Sequence, residues 1–221
     1  VLVAPDAIMI GGLDSVVGGG WGGLLGRTTD LHLHGAMLGY GIFTEYGPLH
    51  GVAVGEYYRL LTSMFLHYGL LHLLMNMWAL WVIGRILEAA LGPARFLALY
   101  LLSGVGGSVA VYYFAPNSLA AGASGAIFGL FAALFVVMRR LGRDTSAVIP
   151  VLLVNLLITF YVPSISIAGH LGGLATGAVV AVALAYAPQR NRTMFQIGGV
   201  LMILAALILL TALRTTLLFT S

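Results

Sequence analysis

The chain contains no cysteine and no lysine, and only 8% of its 221 residues are charged. Without cysteine there is no disulfide framework, no thiolate metal site, no iron–sulfur cluster and no thiol nucleophile. The scarcity of charge is equally restrictive, because soluble domains carry about 25% charged residues. A nucleic-acid surface is excluded as well. The net charge of +3 comes from arginine alone, and the arginines sit in short loops between apolar runs instead of forming a basic patch. No cleavable leader pattern opens the sequence, since Val1-Leu2-Val3 has no basic segment before it and runs into Pro5 and Asp6.

Apolar residues, by contrast, make up 60% of the chain and give a mean hydropathy of +1.03. A membrane helix needs about 20 predominantly apolar residues. Runs of that kind cover 66–87, 93–114, 122–140, 146–162, 165–187 and 195–213. Each is predicted to be a helix, because open strands leave their backbone unsatisfied in hydrocarbon. The expected fold class is therefore all-α, a polytopic membrane helix bundle. The stretch 1–26 is apolar but rich in glycine and broken by Pro5, Asp6 and Asp14, and it reads as the end of a helix or as loop. Residues 27–65 hold three of the six histidines and read as a long interfacial loop, a length often tied to function. The expected division is 1–65 for the end of a first helix and this loop, 66–187 for the core helices, and 188–221 for an extra C-terminal transmembrane helix.

Arginine supplies the orientation. Arg85 and Arg95, then Arg139, Arg140 and Arg143, then Arg190 and Arg192 fall around alternate loops, which must share one side of the membrane. The intervening loops, around Asn117 and Pro163, have none. By the positive-inside rule the arginine-bearing side is cytoplasmic, and the spans starting near 66, 122 and 165 run inward.

Polar groups inside spans are costly and mark function by default. Here they are His72, Asn76, Ser124, Asn155 and His170. His72 and Asn76 are four apart and share a helix face. Ser124, in Gly122-Ala123-Ser124-Gly125, opens one inward span, and His170, after Gly169, opens another. One hydroxyl, two imidazoles and one amide would meet at similar depth if these helices pack together. Such a set suits acyl transfer: imidazole takes the serine proton and returns it to the leaving amine. Asn76, the Ser124 backbone N–H and His72 are candidate donors to the oxyanion. No Asp or Glu lies among these groups, since Glu88 and Asp144 sit toward the opposite face, so the chemistry is expected to run on a dyad. Gly125 and Gly129, with Gly173 and Gly177, match the small-xxx-small spacing that lets helices approach closely. Taken singly, a membrane serine is mostly a packing residue, His67 reads as a loop anchor, and Asn155 has no partner at its depth and reads as structural.

Four motifs occur in order: Tyr58-Arg59; His67 with His72-x-x-x-Asn76; Gly122-Ala123-Ser124-Gly125; and Gly169-His170 followed by Gly173-x-x-x-Gly177. Together, over about 55–186, they resemble the rhomboid intramembrane serine proteases. The resemblance implies a six-helix core with a water-filled cavity open to the outside. Here the core is followed by the additional C-terminal helix, with the first core helix cut short. It also implies hydrolysis of transmembrane protein substrates near the outer surface of the bilayer, with Ser124 as nucleophile, His170 as base, and Asn76 and His72 at the oxyanion site. Phe128, Gly173, Gly177, His67 and Arg59 would support the site. The fifth core helix, 146–162, would move aside for substrate. Two positions depart from the family pattern: Tyr58 replaces a usual Trp, and Phe128 replaces a frequent Tyr, losing a hydroxyl.

Two other protease classes fail on residues. A zinc protease would need His-Glu-x-x-His and an aspartyl protease two Asp within spans; neither is present. The alternatives are an inactive client-binding relative, which would be expected to lack the serine or the histidine, and after it a transporter, which would want coupling groups near mid-membrane. No metal or cofactor is called for. The arginine-only, Ala- and Gly-rich composition fits a bacterial plasma membrane, with the active site extracytoplasmic.

Overall fold

The computed structural model describes residues 28–44 and 47–220. The expectation of a first-helix remnant in 1–26 lies outside the described residues. The rest is an all-α membrane bundle. Short elements come first: α1 (Asp30–Gly35), a hairpin of β1 (Ile42–Thr44) and β2 (Gly47–Leu49) that pairs Ile42 with Leu49, and α2 (Arg59–Thr62). Six long helices follow: α3 (Leu70–Leu91), α4 (Pro93–Phe114), α5 (Ser124–Arg140), α6 (Val148–Tyr161), α7 (Ile167–Ala185) and α8 (Arg192–Thr220). Among the described residues four helical segments, Leu70–Leu91, Pro93–Phe114, Ile167–Ala185 and Gln189–Leu218, are long and apolar enough to cross a bilayer. At 1.5 Å per residue, 22 residues reach about 33 Å, roughly one hydrocarbon core. The 14 residues of α6 reach only about 21 Å.

The turn between α3 and α4 is a single residue. Gly92 adopts φ +83°, a left-handed value that side chains disfavour, and Pro93 then opens α4 where a missing N–H costs nothing. Helices α4, α5 and α7 form the packed centre, α3 and α8 lie outside them, and α6 sits at the edge against α5 and α7. Glycine makes the centre possible. A Cβ on Gly107 would lie 2.6 Å from the carbonyl oxygen of Gly169, and one on Gly172 would lie 2.9 Å from that of Gly106. Lipid offers no hydrophobic drive to hold helices together, so backbone-to-backbone approach supplies the contact.

Most helix limits shift by a few residues from the sequence reading, and two of the shifts have a visible cause. The first span begins at Leu70, not 66, because Gly69 is extended and the preceding residues form α2 and a further short helical turn, Ser63–Phe65. The last helix continues past 213. Arg214 lies within it, its guanidinium over the rings of Tyr40 and Tyr113 and hydrogen-bonded to the Tyr40 hydroxyl. The aromatic cover carries a charge that hydropathy alone reads as the end of a run. Further bonds fasten α8: the Tyr113 hydroxyl donates to the Leu210 carbonyl (2.7 Å), and the Gln196 amide donates to that of Leu184 (2.7 Å).

The loop before α3 is held by Arg59, which is buried. Its guanidinium donates to the carbonyls of Ala36 and Leu33, at 2.8 Å each, and pairs with Glu56. Residue Met37 exchanges backbone hydrogen bonds with Ala120 at 2.7 and 2.9 Å, so the loop is paired to the segment leading into α5. Replacing Arg59 by Met strips both carbonyls of their donor. The expected loss is about 3 kcal/mol, at 1–3 kcal/mol for each buried group left unmade, measured as a lower thermal midpoint in detergent.

Candidate active site

The segment entering α5 is built to deliver one hydroxyl. Gly122 adopts φ +132°, and a Cβ there would meet the His72 ring at 2.8 Å, so neither its backbone nor its surroundings admit a side chain. Its N–H donates to the Ser63 carbonyl at 2.9 Å, and the Ala123 N–H donates to Nε2 of His67 at 3.4 Å. Ser124 then opens the helix, where the first turn's N–H groups have no intrahelical acceptor and the dipole is positive.

His170 stands in the first turn of α7. Ser166 caps that helix, its hydroxyl accepting from the Gly169 N–H at 3.1 Å. The imidazole is 7% exposed, and its Nε2 lies 2.7 Å from the Ser124 hydroxyl. Register between the two helices comes from glycine: a Cβ on Gly173 would lie 2.0 Å from the Gly125 carbonyl oxygen, and one on Gly177 would lie 2.3 Å from Cα of Gly129. With these backbones in contact, the residue before Gly125 faces the residue after Gly169. Phe128, one turn after the serine, stacks on the His170 ring at 4.1 Å between centroids and 20° between planes, which limits the ring's tilt.

The other expected residues fall around this pair. The His72 ring abuts Gly122 and lies edge-on to His67, 5.1 Å between centroids. Asn76 is buried on the same helix, and its amide nitrogen donates to the His72 carbonyl at 2.8 Å. That bond uses one of the amide's two hydrogens and leaves the other. Arg59 is in the loop support described above, and Asn155 bonds back to the Val151 carbonyl of its own helix at 2.8 Å. Beside the Ser124–His170 pair is a cavity lined by Met37, Ser63, Met64, Ser108 and Gly125 among others.

One residue at the centre escaped the sequence reading. Thr159 of α6 is 1% exposed, and its hydroxyl lies 2.8 Å from Nδ1 of His170. A threonine in an apolar helix usually bonds back to its own backbone, so spacing gave it no distinction from any other.

Comparison with known proteins gives the family. Rhomboid protease GluP of Bacillus subtilis (strain 168) is 42% identical over 141 residues, which are 60% of this chain but 27% of that protein. YdcA of the same bacterium, named after the same family, is 40% identical over 153 residues, 66% of this chain and 76% of YdcA. A plant relative, the mitochondrial RHOMBOID-like protein 6 of Arabidopsis thaliana, is 34% identical over 141 residues, 61% of this chain and 46% of its own. The chain thus spans about a quarter of the length of GluP and three quarters of that of YdcA. The Rhomboid domain model matches residues 54–187, the stretch from just before Arg59 to the end of α7 that holds both Ser124 and His170. On that match the chain belongs to the rhomboid family.

Proposed function

We propose that this protein is a serine-type intramembrane endopeptidase that hydrolyses peptide bonds of transmembrane proteins near the outer surface of the bilayer. The observation that carries the reading is the 2.7 Å contact between the Ser124 hydroxyl and Nε2 of His170, two polar side chains on separate apolar helices. The name of GluP, a rhomboid protease, supports the same class of reaction.

In this mechanism His170 takes the proton of Ser124 as its oxygen attacks the scissile carbonyl carbon, and the carbonyl oxygen becomes an oxyanion. The Ser124 N–H, the second hydrogen of the Asn76 amide and the His72 ring are the donors assigned to it. The protonated His170 then gives its proton to the leaving amine. Water attacks the acyl-serine with His170 again as base, releasing the acid and restoring the hydroxyl. Residues 66–187 act as the catalytic core and 188–221 as an added transmembrane helix. The arginine distribution supports an extracytoplasmic site in a bacterial plasma membrane.

The test is labelling of the detergent-solubilised protein by a fluorophosphonate, which phosphonylates an activated serine. The wild type should label, while Ser124→Ala and His170→Ala should not. Equal labelling of all three, or none of a folded wild type, would end the proposal.

A further inference from the structure

The Thr159 hydroxyl has one hydrogen and two neighbours at 2.8 Å: the carbonyl oxygen of Asn155 and Nδ1 of His170. A carbonyl can only accept, so the Thr159 hydrogen is committed to Asn155. The hydroxyl oxygen then has only lone pairs to offer His170, and Nδ1 must carry the hydrogen between them. In the neutral ring that leaves Nε2 as the lone-pair nitrogen, and Nε2 is the atom 2.7 Å from the Ser124 hydroxyl. The network assigns the tautomer. Its bonds run one way, from Ser124 to His170 to Thr159 to the Asn155 carbonyl.

We infer that Thr159 is the positioning residue that holds His170 in the Nδ1–H form, the form in which Nε2 can accept the serine proton. In soluble serine hydrolases a buried carboxylate does this. Among the described residues no carboxylate is bonded to the His170 ring, whose partners are Thr159 and Ser124. No Asp or Glu follows Asp144 in the chain, and α4 and α5 contain none. Glu88 of α3 is four turns from His72 at the other end of that helix. A neutral hydroxyl, aimed by its own back-bond, takes the place of the anion, and burying it costs less than burying a charge. The same bond gives α6 a part in the site, because in its last two turns Thr159 is the buried residue while Leu157, Ile158, Phe160 and Tyr161 are exposed.

The inference rests on the proposed dyad, and its test separates the two. The whole chain, carrying ¹⁵N-histidine, is studied in detergent as wild type, Thr159→Val and Thr159→Ser, with His170→Ala used to assign the His170 ring signals. Wild type should show the hydrogen on Nδ1 and a bare Nε2. In Thr159→Val the ring should shift toward the Nε2–H form. Labelling by the fluorophosphonate at saturating probe should slow roughly tenfold, the worth of one hydrogen bond, with the half-saturating probe concentration unchanged. Thr159→Ser should recover the tautomer and labelling to within about twofold. A wild-type ring protonated on Nε2 overturns the inference, and so does a Thr159→Val protein with both tautomer and labelling rate unaltered. If Thr159→Val does not fold, the wild-type spectrum and the serine variant decide. If instead Ser124→Ala labels like the wild type, the protease reading fails while the tautomer result stands by itself.

Discussion

Ser124→Ala is expected to lower turnover of a transmembrane reporter segment in liposomes by roughly 10⁵-fold or more, and His170→Ala by nearly as much. The reason is that the proposed pair would work as one unit. The hydroxyl is a poor nucleophile without a base, and the base has nothing to deprotonate without the hydroxyl. Their effects therefore do not add: the double variant should sit within about tenfold of either single one. The proposed oxyanion donors would contribute separately, so Asn76→Ala and His72→Ala should each cost on the order of 10²-fold. Rates that multiply for Ser124→Ala and His170→Ala would mean two independent contributors, which the 2.7 Å contact does not allow. A His170→Ala protein that turns over as fast as the wild type would sink the dyad.

The second large effect comes from a single methyl group. In Gly173→Ala the new Cβ would sit 2.0 Å from the oxygen, 2.6 Å from the carbon and 3.1 Å from Cα of Gly125. All three are backbone atoms within a helix, so no rotamer change relieves the clash. Helices α5 and α7 must separate by more than an ångström before ordinary contact is reached. Overpacking of this kind costs about 3 kcal/mol, and displacement of a reacting pair by 1 Å costs about 10²-fold in rate. Gly173→Ala should therefore unfold at a lower temperature and label at least about a hundredfold more slowly. Gly177→Ala, whose Cβ would lie 2.3 Å from Cα of Gly129, should behave similarly. Gly198→Ala on α8 is the control, since nothing lies within 4 Å of its added Cβ. It should be neutral or slightly stabilising, as alanine is the better helix former. Equal stability of Gly173→Ala and Gly198→Ala would show that the close approach is not what holds the two helices.

The contrast between these residues shows what a sequence can reveal here. Ser124, His170 and the glycine stripes were legible because each breaks the apolar pattern in a way that membranes penalise or packing demands. The all-α bundle followed from hydropathy and backbone satisfaction. Thr159 was illegible because its significance lies in the direction of one hydroxyl hydrogen, which no spacing encodes. Asn155 read as structural, and its side chain does bond back to its own helix, but its carbonyl is what orients that hydroxyl. The helix limits at Leu70 and beyond Arg214 differ for two reasons: an extended Gly69 after the short turn Ser63–Phe65 delays the start of α3, and Tyr40 and Tyr113, distant in sequence, cover the Arg214 guanidinium.

The family match stops at residue 187, yet α8 is stitched to what precedes it. Arg214 clasps Tyr40, which belongs to the same loop that pairs with the strand of chain leading to Ser124. A mechanical route thus runs from α8 to within a few residues of Ser124. Trimming the protein at the family boundary would cut that route, so the terminal helix is better regarded as a buttress than as an appendage.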